Sequence, residues 1–141
     1  MIQVKDDKTR REVIDLLVKS NLPVEDLDEN KRLYALIEDE RIVGTGGLEF
    51  FGDCALVRSV SIKEEERGRG LGKNINRYLE KIAKENGVHF LYLLTTTASE
   101  FFTKEGYETI SREIVPDTIK STSEFSSVCP STAIVMKKKI K

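Results

Sequence analysis

The sequence predicts an α+β domain with a mixed central sheet of roughly six or seven strands and about four helices. Two observations on the order of its elements lead to this prediction. Antiparallel strands joined by short turns form a meander early in the chain, and a strand–helix–strand crossover follows in the middle. At 141 residues the chain has the size of one domain with one core, so we expect residues 1–141 to form a single unit.

The first half of the chain predicts a short strand, a helix and the meander. Asp6 and Asp7 can cap a helix whose apolar residues recur at helical spacing. Gly44, Gly46 and Gly47 indicate a bulge or a close approach of another element. The apolar stripe of the helix contains Val13, Ile14, Leu16, Leu17 and Val18. The strands are predicted at residues 2–5, 33–38, 42–50 and 54–62, with a loop at 21–30.

The second half of the chain predicts alternating helices and strands. A long amphipathic helix is expected at residues 70–86, with Gly87 at its C-terminal end. Thr97 is expected to cap a short helix that ends at Gly106. The strand between them is continuously apolar, as in strands buried on both faces. Strands are predicted at residues 88–95, 107–115 and 133–139, with a further helix at 116–125.

The charge balance argues against a nucleic-acid-binding protein. The chain has 23 basic and 24 acidic residues and a formal net charge of -1, whereas nucleic-acid binders usually carry a basic excess. Four lysines crowd the C-terminal strand, and we interpret them as a solvated strand end that resists edge pairing. They are Lys137, Lys138, Lys139 and Lys141.

Composition also argues against several other classes of protein. Residues 1–10 lack the apolar segment of a secretory signal, and no apolar run approaches the ~20 residues of a membrane helix. Cys54 and Cys129 are too few for a disulfide framework, and His89 is the single histidine. We therefore expect a cytoplasmic protein without a metal site, a membrane or a nucleic-acid partner.

The segment at residues 67–72, Arg-Gly-Arg-Gly-Leu-Gly, carries the clearest chemical signal. It lies between a predicted strand and the long helix. Its glycines let the backbone approach a ligand closely, and the free amides at a helix start favour an anion. Arg67, Arg69 and Lys73 add positive charge suited to a pyrophosphate. The alternative interpretation is a surface turn rich in glycine and arginine.

Two common phosphate-binding motifs do not fit this segment. A Walker A loop would need glycine where Arg67 stands and serine or threonine where Asn74 stands. The dinucleotide fingerprint needs Gly-x-Gly-x-x-Gly near the first strand, but Gly68, Gly70 and Gly72 are evenly spaced and lie in the middle of the chain.

A third pattern, Arg/Gln-x-x-Gly-x-Gly/Ala, is matched by Arg67, Gly70 and Gly72. It resembles the coenzyme A motif of the GNAT superfamily of N-acetyltransferases, and the predicted element order is similar to that family over nearly the whole chain. The resemblance implies a GNAT-like acyl-CoA N-acyltransferase fold, with acetyl-CoA as co-substrate and no metal. It implies that the pyrophosphate is bound by Arg67, Gly68, Arg69, Gly70, Leu71, Gly72 and Lys73, and the pantetheine arm by the backbone of Val60 and Ile62.

A second family pattern, Asn-x-x-Ala-x-x-Phe-Tyr ahead of Gly-Phe/Tyr, is matched in part. Thr95 replaces the Asn, and Phe102 replaces the Tyr that often protonates the departing thiolate. A phenyl ring has no proton to give, so the acid is another group, water, or absent. Tyr34 and Tyr92 are candidates for that acid, and Thr95 is a candidate for ligand contact. The positions that agree are Ala98, Phe101, Gly106 and Tyr107.

A narrower resemblance concerns residues 91–98 and the segment from Val115 to Ala133. These are similar to acetyltransferases associated with arsenic-resistance operons and to the acetyltransferase domain of N-acetylglutamate synthases. The resemblance implies an amino-acid-like or other small amine as acceptor. Cys129, within this segment, is interpreted as a buried structural thiol, with the acceptor pocket as the alternative.

Three residues are candidates for the acceptor chemistry. The attacking amine must lose a proton, and the strand at 54–62 contains no carboxylate, so Glu49 on the neighbouring strand is the nearest base. The alternative for Glu49 is an exposed strand charge. Arg58 could bind a substrate carboxylate, with a surface ion pair as the alternative. Ser59, on the opposite face of the strand, could hydrogen-bond the substrate.

These observations together predict an acetyl-CoA-dependent N-acetyltransferase that acts on the amine of a small molecule. We expect direct transfer without a covalent acyl-enzyme, driven by positioning and by polarisation of the thioester. The alternative is a non-catalytic acyl-CoA-binding regulatory domain of the same fold. The sequence leaves open whether the chain forms a homodimer.

Overall fold

A computed structural model of the chain describes residues 1–22, 24, 31–122, 125 and 133–141. Over these residues the strands are β1 (Ile2–Gln3), β2 (Lys31–Glu38), β3 (Arg41–Phe51), β4 (Cys54–Ile62), β5 (Phe90–Thr95), β6 (Glu108–Thr109) and β7 (Ile134–Lys139). They form one sheet of seven strands in the order β1-β2-β3-β4-β5-β7-β6. Strands β4 and β5 are parallel and the other neighbours are antiparallel, which confirms the predicted mixed sheet.

Four α-helices lie within the described part of the chain, as predicted. They are α1 (Asp7–Lys19), α2 (Leu71–Glu85), α3 (Ser99–Lys104) and α4 (Asp117–Lys120). Single 3-10 turns follow β4 at Glu64–Glu66 and precede α4 at Arg112–Ile114. None of these helices is long and apolar enough to cross a membrane.

Helix α1 begins at a side-chain cap and packs one face on the sheet. The Asp6 carboxylate accepts a hydrogen bond of 2.9 Å from the Thr9 amide, which satisfies one of the free donors of the first turn. Val13 and Leu17 are buried, but Val18 is 55% exposed. The predicted stripe is therefore wrong at Val18, because each residue turns the helix by about 100° and this position has rotated away from the core.

Helix α2 packs directly against β3, at positions where β3 has glycines and therefore no side chains in the way. A Cβ at Gly44 would lie 2.7 Å from the Ile75 Cδ1 atom, and one at Gly46 would lie 2.9 Å from its Cγ2 atom. Only glycine lets the helix and the sheet come this close. The predicted close approach is confirmed. The register of β3 and β4 also shifts between Thr45 and Gly47, and the extra residue of this bulge lies in β4, opposite the glycine strand.

The sheet carries a different layer on each face. Leu48 and Val57 belong to the core cluster beneath α2. Leu56, one residue away from Val57, packs in a cluster with Ile119 of α4. Helix α1 covers Leu33 on that same second face. Side chains on the second face therefore point into the layer between α1 and α4. Glu49 and Arg58 each follow a residue of the α2 face, Leu48 and Val57, by one position, so they lie on this second face.

Two predictions about the second half of the chain are wrong. The strand expected at 107–115 is only Glu108–Thr109, because Ser111 accepts a hydrogen bond of 3.2 Å from the Glu113 amide and starts a 3-10 turn. The helix expected at 116–125 begins at Asp117 and ends at Lys120, and positions 123 and 124 of the prediction lie outside the described residues. Most of the predicted loop at 21–30 and the position of Cys129 lie outside the described residues.

Candidate active site

Strands β4 and β5 separate part-way along their length. Their parallel pairing runs from Cys54 opposite Phe90 to Leu56 opposite Tyr92. Beyond this point each strand remains paired on its outer side, as far as Ile62 in β4 and Thr95 in β5. The facing edges of the two strands therefore present backbone amides and carbonyls that no longer bond each other. A ligand with its own amide groups can hydrogen-bond to both edges.

The gap between the two strands opens into a cleft of about 400 Å³. Its walls come from the end of α1, from β4 and β5, and from the starts of α2 and α3. Phe101 and Phe102 form an aromatic part of the wall, next to the threonines that follow β5. Seven predicted site residues line the cleft: Arg58, Ser59, Val60, Ile62, Arg67, Gly72 and Thr95.

The start of α2 forms a backbone cradle beside the cleft. Gly70 caps the helix with a φ of 76°, and Gly68 has a φ of 87°, a left-handed conformation that favours glycine. No atom lies within 4 Å of a Cβ built at either position, so both face open space. The first amides of a helix have no partner inside the helix and bind anions well. Gly68, Gly70, Leu71 and Lys73 lie in this cradle next to the cleft rather than in its lining.

The two arginines of the segment differ in their surroundings. Arg67 lines the cleft, and its Nε atom donates a hydrogen bond of 3.2 Å to the Ile62 carbonyl at the end of β4. Arg69 instead forms ion pairs with Glu38, at 2.9 Å, and with Glu66. The pKa of Arg69 is raised, first by its hydrogen bond to Glu38. Arg69 is thus not among the residues that line the cleft, and its predicted contact with a pyrophosphate has no support from its surroundings.

A buried charge cluster lies on the face between α1 and α4. Arg58 is 3% exposed, and its Nη1 atom lies 3.4 Å from the Glu49 Oε1 atom. Lys31 approaches the same carboxylate at 3.9 Å. The alternatives of a surface ion pair for Arg58 and an exposed charge for Glu49 are therefore wrong, because both residues project into the layer between two helices. Arg58 reaches the cleft, whereas Glu49 does not line it.

Ser59 lies at the bulge of β4 and has an unusual backbone conformation. Its φ is 58°, in a region that residues other than glycine seldom adopt. Its carbonyl accepts a hydrogen bond of 2.8 Å from the Thr45 hydroxyl. Its own Oγ atom is buried and has no hydrogen-bond partner within the described chain. Arg58 and Ser59 both line the cleft, and the register shift of β4 falls between Arg58 and Ser61.

The aromatic wall contains no acid. Phe102 contacts Phe101 edge-on at 5.0 Å and Tyr107 at 5.4 Å between ring centroids. The two tyrosines considered as replacement acids, Tyr34 and Tyr92, are buried in the sheet and do not line the cleft. Burial raises the pKa of both phenols, so they hold their protons more tightly than usual. Their location argues against either residue as the proton donor.

Thr95 links the end of β5 to the start of α3. Its Oγ1 atom accepts a hydrogen bond of 2.9 Å from the Ala98 amide. The prediction that Thr97 provides the cap is therefore wrong, because Thr95 already engages the amide of the residue before the helix. Among the residues that the structure describes, no group of three His, Cys, Asp or Glu side chains could hold a metal ion.

Comparison with known proteins places this architecture in a family. The model of the acetyltransferase (GNAT) family matches residues 4–107. The chain belongs to the GNAT family. The cradle lies within the matched residues, and so do the residues that line the cleft, except Ala133.

Several GNAT relatives are similar in sequence over part of their length. An uncharacterized N-acetyltransferase of Chlorobaculum tepidum is 31% identical over 80 residues, which are 56% of this chain and 51% of that protein. An amino-acid acetyltransferase of Neisseria meningitidis is 24% identical over 88 residues, 60% of this chain and 20% of that protein. The match to the first relative thus spans about half of its length.

Solved structures share the GNAT fold over almost the entire chain. N-acetylglutamate synthase of Neisseria gonorrhoeae, complexed with coenzyme A and N-acetyl-glutamate, aligns with a TM-score of 0.81 at 16% identity, covering 99% of this chain and 34% of that one. An aminoglycoside 6'-N-acetyltransferase complexed with coenzyme A aligns at 0.72 and 18% identity, covering 100% and 98%. At these identities the likeness establishes the fold.

Proposed function

We propose that the chain transfers the acetyl group of acetyl-CoA to the amine of a small, amino-acid-like molecule. The observation that carries the proposal is the cleft between β4 and β5, which runs up to the backbone cradle at the start of α2. One end of the cleft suits a chain of amide groups, and the other suits a pair of phosphates. The family and the coenzyme A complexes of similar structures support the same ligand.

The residues present fit acetyl-CoA as co-substrate. The amides of Leu71, Gly72 and Lys73, with the Arg67 guanidinium, would hold the pyrophosphate. The open backbone of Val60 and Ile62 on β4 would hydrogen-bond the pantetheine arm, as an added strand does at a sheet edge. The open space at Gly68 and Gly70 leaves room for phosphate oxygens next to the backbone.

The acceptor proposal depends on Arg58. Its guanidinium reaches the cleft from the layer between α1 and α4, and a guanidinium can bind a carboxylate through two parallel hydrogen bonds. Glu49 would orient that guanidinium, since its carboxylate already contacts Arg58 and Lys31. The name of the Neisseria meningitidis relative, amino-acid acetyltransferase, supports an acceptor of this kind.

A second candidate function is an acyl-CoA-binding regulatory domain without catalysis. It is favoured by the cleft lining within the described chain, which contains no Asp, Glu, His, Cys or Tyr side chain. Phe102 occupies the wall where a hydroxyl would serve as an acid. Both functions predict coenzyme A binding, so turnover distinguishes them.

The deciding experiment measures thiol release from acetyl-CoA in the presence of a panel of free amino acids and small amines. Turnover with any amine supports the transferase, and binding without turnover supports the regulatory domain. The variant Gly70→Glu should abolish coenzyme A binding in calorimetric titration. Gly52→Glu is its matched control. Gly52 has a similar φ of 65° in the turn before β4, at the opposite end of that strand from the cradle, and the substitution adds the same charge. Normal binding by Gly70→Glu would show that the cradle is not the phosphate site.

A further inference from the structure

We propose that the Ser59 hydroxyl is the proton donor to the departing sulfur of coenzyme A. This inference rests on the proposed acetyl transfer and names the residue that completes it. Three observations lead to Ser59: a buried hydroxyl without a partner among the described residues, a strained backbone, and a described cleft lining that contains no Asp, Glu, His, Cys or Tyr side chain.

The Ser59 hydroxyl is a donor that the fold leaves unused. The residue is 7% exposed, it lines the cleft, and its Oγ atom has no hydrogen-bond partner among the described residues. Buried polar groups usually have a partner, because leaving one unpaired destabilises the folded protein. Two other cleft serines, Ser20 and Ser61, hydrogen-bond to each other. The Ser59 side chain can rotate about its single torsion toward a ligand without breaking a hydrogen bond.

Ser59 has a backbone conformation that favours glycine. A φ of 58° is strained for serine, and glycine would adopt it freely. The Thr45 hydroxyl holds the Ser59 carbonyl at 2.8 Å, which fixes the bulge in this conformation. Strain of this kind occurs at functional positions, where the surrounding structure maintains it. The hydroxyl is the group that serine has and glycine lacks.

The location of Ser59 matches the place where the thioester would lie. It follows Leu56, where β4 and β5 stop pairing, by three positions, and it precedes Val60 and Ile62 on the strand edge assigned to the pantetheine arm. Phe102, in the part of the cleft wall that α3 contributes, supplies no proton. A donor at Ser59 therefore reaches the sulfur from β4 instead of from α3.

The proposed step balances in atoms and charge. The amine nitrogen attacks the acetyl carbon, the C–N bond forms, and the C–S bond breaks with its electron pair moving to sulfur. Ser59 gives its proton to the sulfur while its Oγ atom takes up the proton that the nitrogen loses. The products are the N-acetylated amine and the free thiol of coenzyme A, and Ser59 returns to its neutral form.

The test compares Ser59→Ala and Ser59→Gly with the unaltered chain in steady-state acetyl transfer. We expect kcat to fall by about 100-fold in both variants, as for the loss of a general acid, while KM for acetyl-CoA changes less than about twofold. The Tm of Ser59→Gly should equal or exceed that of the unaltered chain, because glycine relieves the strain. Glu40→Gly, at a φ of 64° in the exposed β2–β3 turn, is the matched control and should leave kcat unchanged.

The outcomes separate this proposal from the proposed function. A kcat within about threefold of the unaltered chain in both variants overturns the role of Ser59 and leaves the transferase standing. A loss of kcat with an equal rise in KM and a lower Tm would assign Ser59 a structural role. This result also overturns the proposal that Ser59 is the proton donor. Absence of turnover by the unaltered chain with every amine overturns both.

Discussion

The Thr45 hydroxyl of β3 donates a hydrogen bond of 2.8 Å to the Ser59 carbonyl of β4, at the bulge where the register of the two paired strands shifts. Thr45 is completely buried, so water cannot replace this bond. The pair therefore fixes the geometry of β4 beyond the point where its pairing with β5 ends.

Thr45→Val should lower the free energy of unfolding by about 1–3 kcal/mol, because it leaves the buried Ser59 carbonyl without its donor. The variant should also lower kcat, since the bulge loses its anchor. Urea denaturation measures the first effect and thiol release the second. Thr45→Ser retains the hydroxyl and should behave almost as the unaltered chain does; equal losses in the Val and Ser variants would contradict the account.

Arg67→Ala should weaken coenzyme A binding by about tenfold or more, whereas Arg69→Ala should change it less than about threefold. Both variants remove one positive charge from the same loop, so each is the control for the other. The difference arises because Arg67 lines the cleft and Arg69 is held by Glu38 and Glu66. Calorimetric titration measures both affinities. A larger loss for Arg69→Ala would reverse the assignment.

Glu49→Gln should lower the free energy of unfolding by about 3 kcal/mol, because it removes the negative charge that contacts the buried Arg58 guanidinium. The double variant Glu49→Gln/Arg58→Met should recover part of this loss, since it removes the buried charge as well. Chemical denaturation of the single and double variants gives the coupling between the two residues. Additive effects would show that the pair does not act as a unit.

The cap of α1 predicts a pH dependence of stability. The hydrogen bonds from Thr9 lower the pKa of Asp6 below its usual 3.8. A carboxyl group whose folded pKa is lowered contributes stability above its unfolded pKa, and loses that contribution as pH falls through the folded value. Asp6→Ala should therefore have a lower Tm at pH 7, and the gap should close as pH falls below 3.8. A gap that stays constant in thermal melts across this range would rule out the cap.

The cradle could be predicted from the sequence because its chemistry is local. Gly70 caps α2 in a left-handed conformation, and the helix follows at once, so consecutive residues contain the signal. The meander and the long helix were predictable for the same reason, since strand alternation and helical spacing are local patterns. Gly87 likewise has a φ of 80° at the predicted end of the helix.

The charged partners could not be predicted, because each pairing depends on how the sheet and the helices assemble. Arg69 meets Glu38 across 31 positions, and this contact depends on how β2 ends beside the cradle. Arg58 meets Glu49 because both point between α1 and α4. The strain at Ser59 depends on the register of β3 against β4, which the glycines indicate only as a bulge somewhere in the strand. Such features need the assembled sheet.

A crystal structure of the chain with bound coenzyme A tests the central claim most directly. We predict that the pyrophosphate accepts hydrogen bonds from the amides of Leu71, Gly72 and Lys73, with Arg67 beside it and the thiol pointing toward Ser59. Coenzyme A bound elsewhere, with the amides at the start of α2 facing only solvent, would contradict the account.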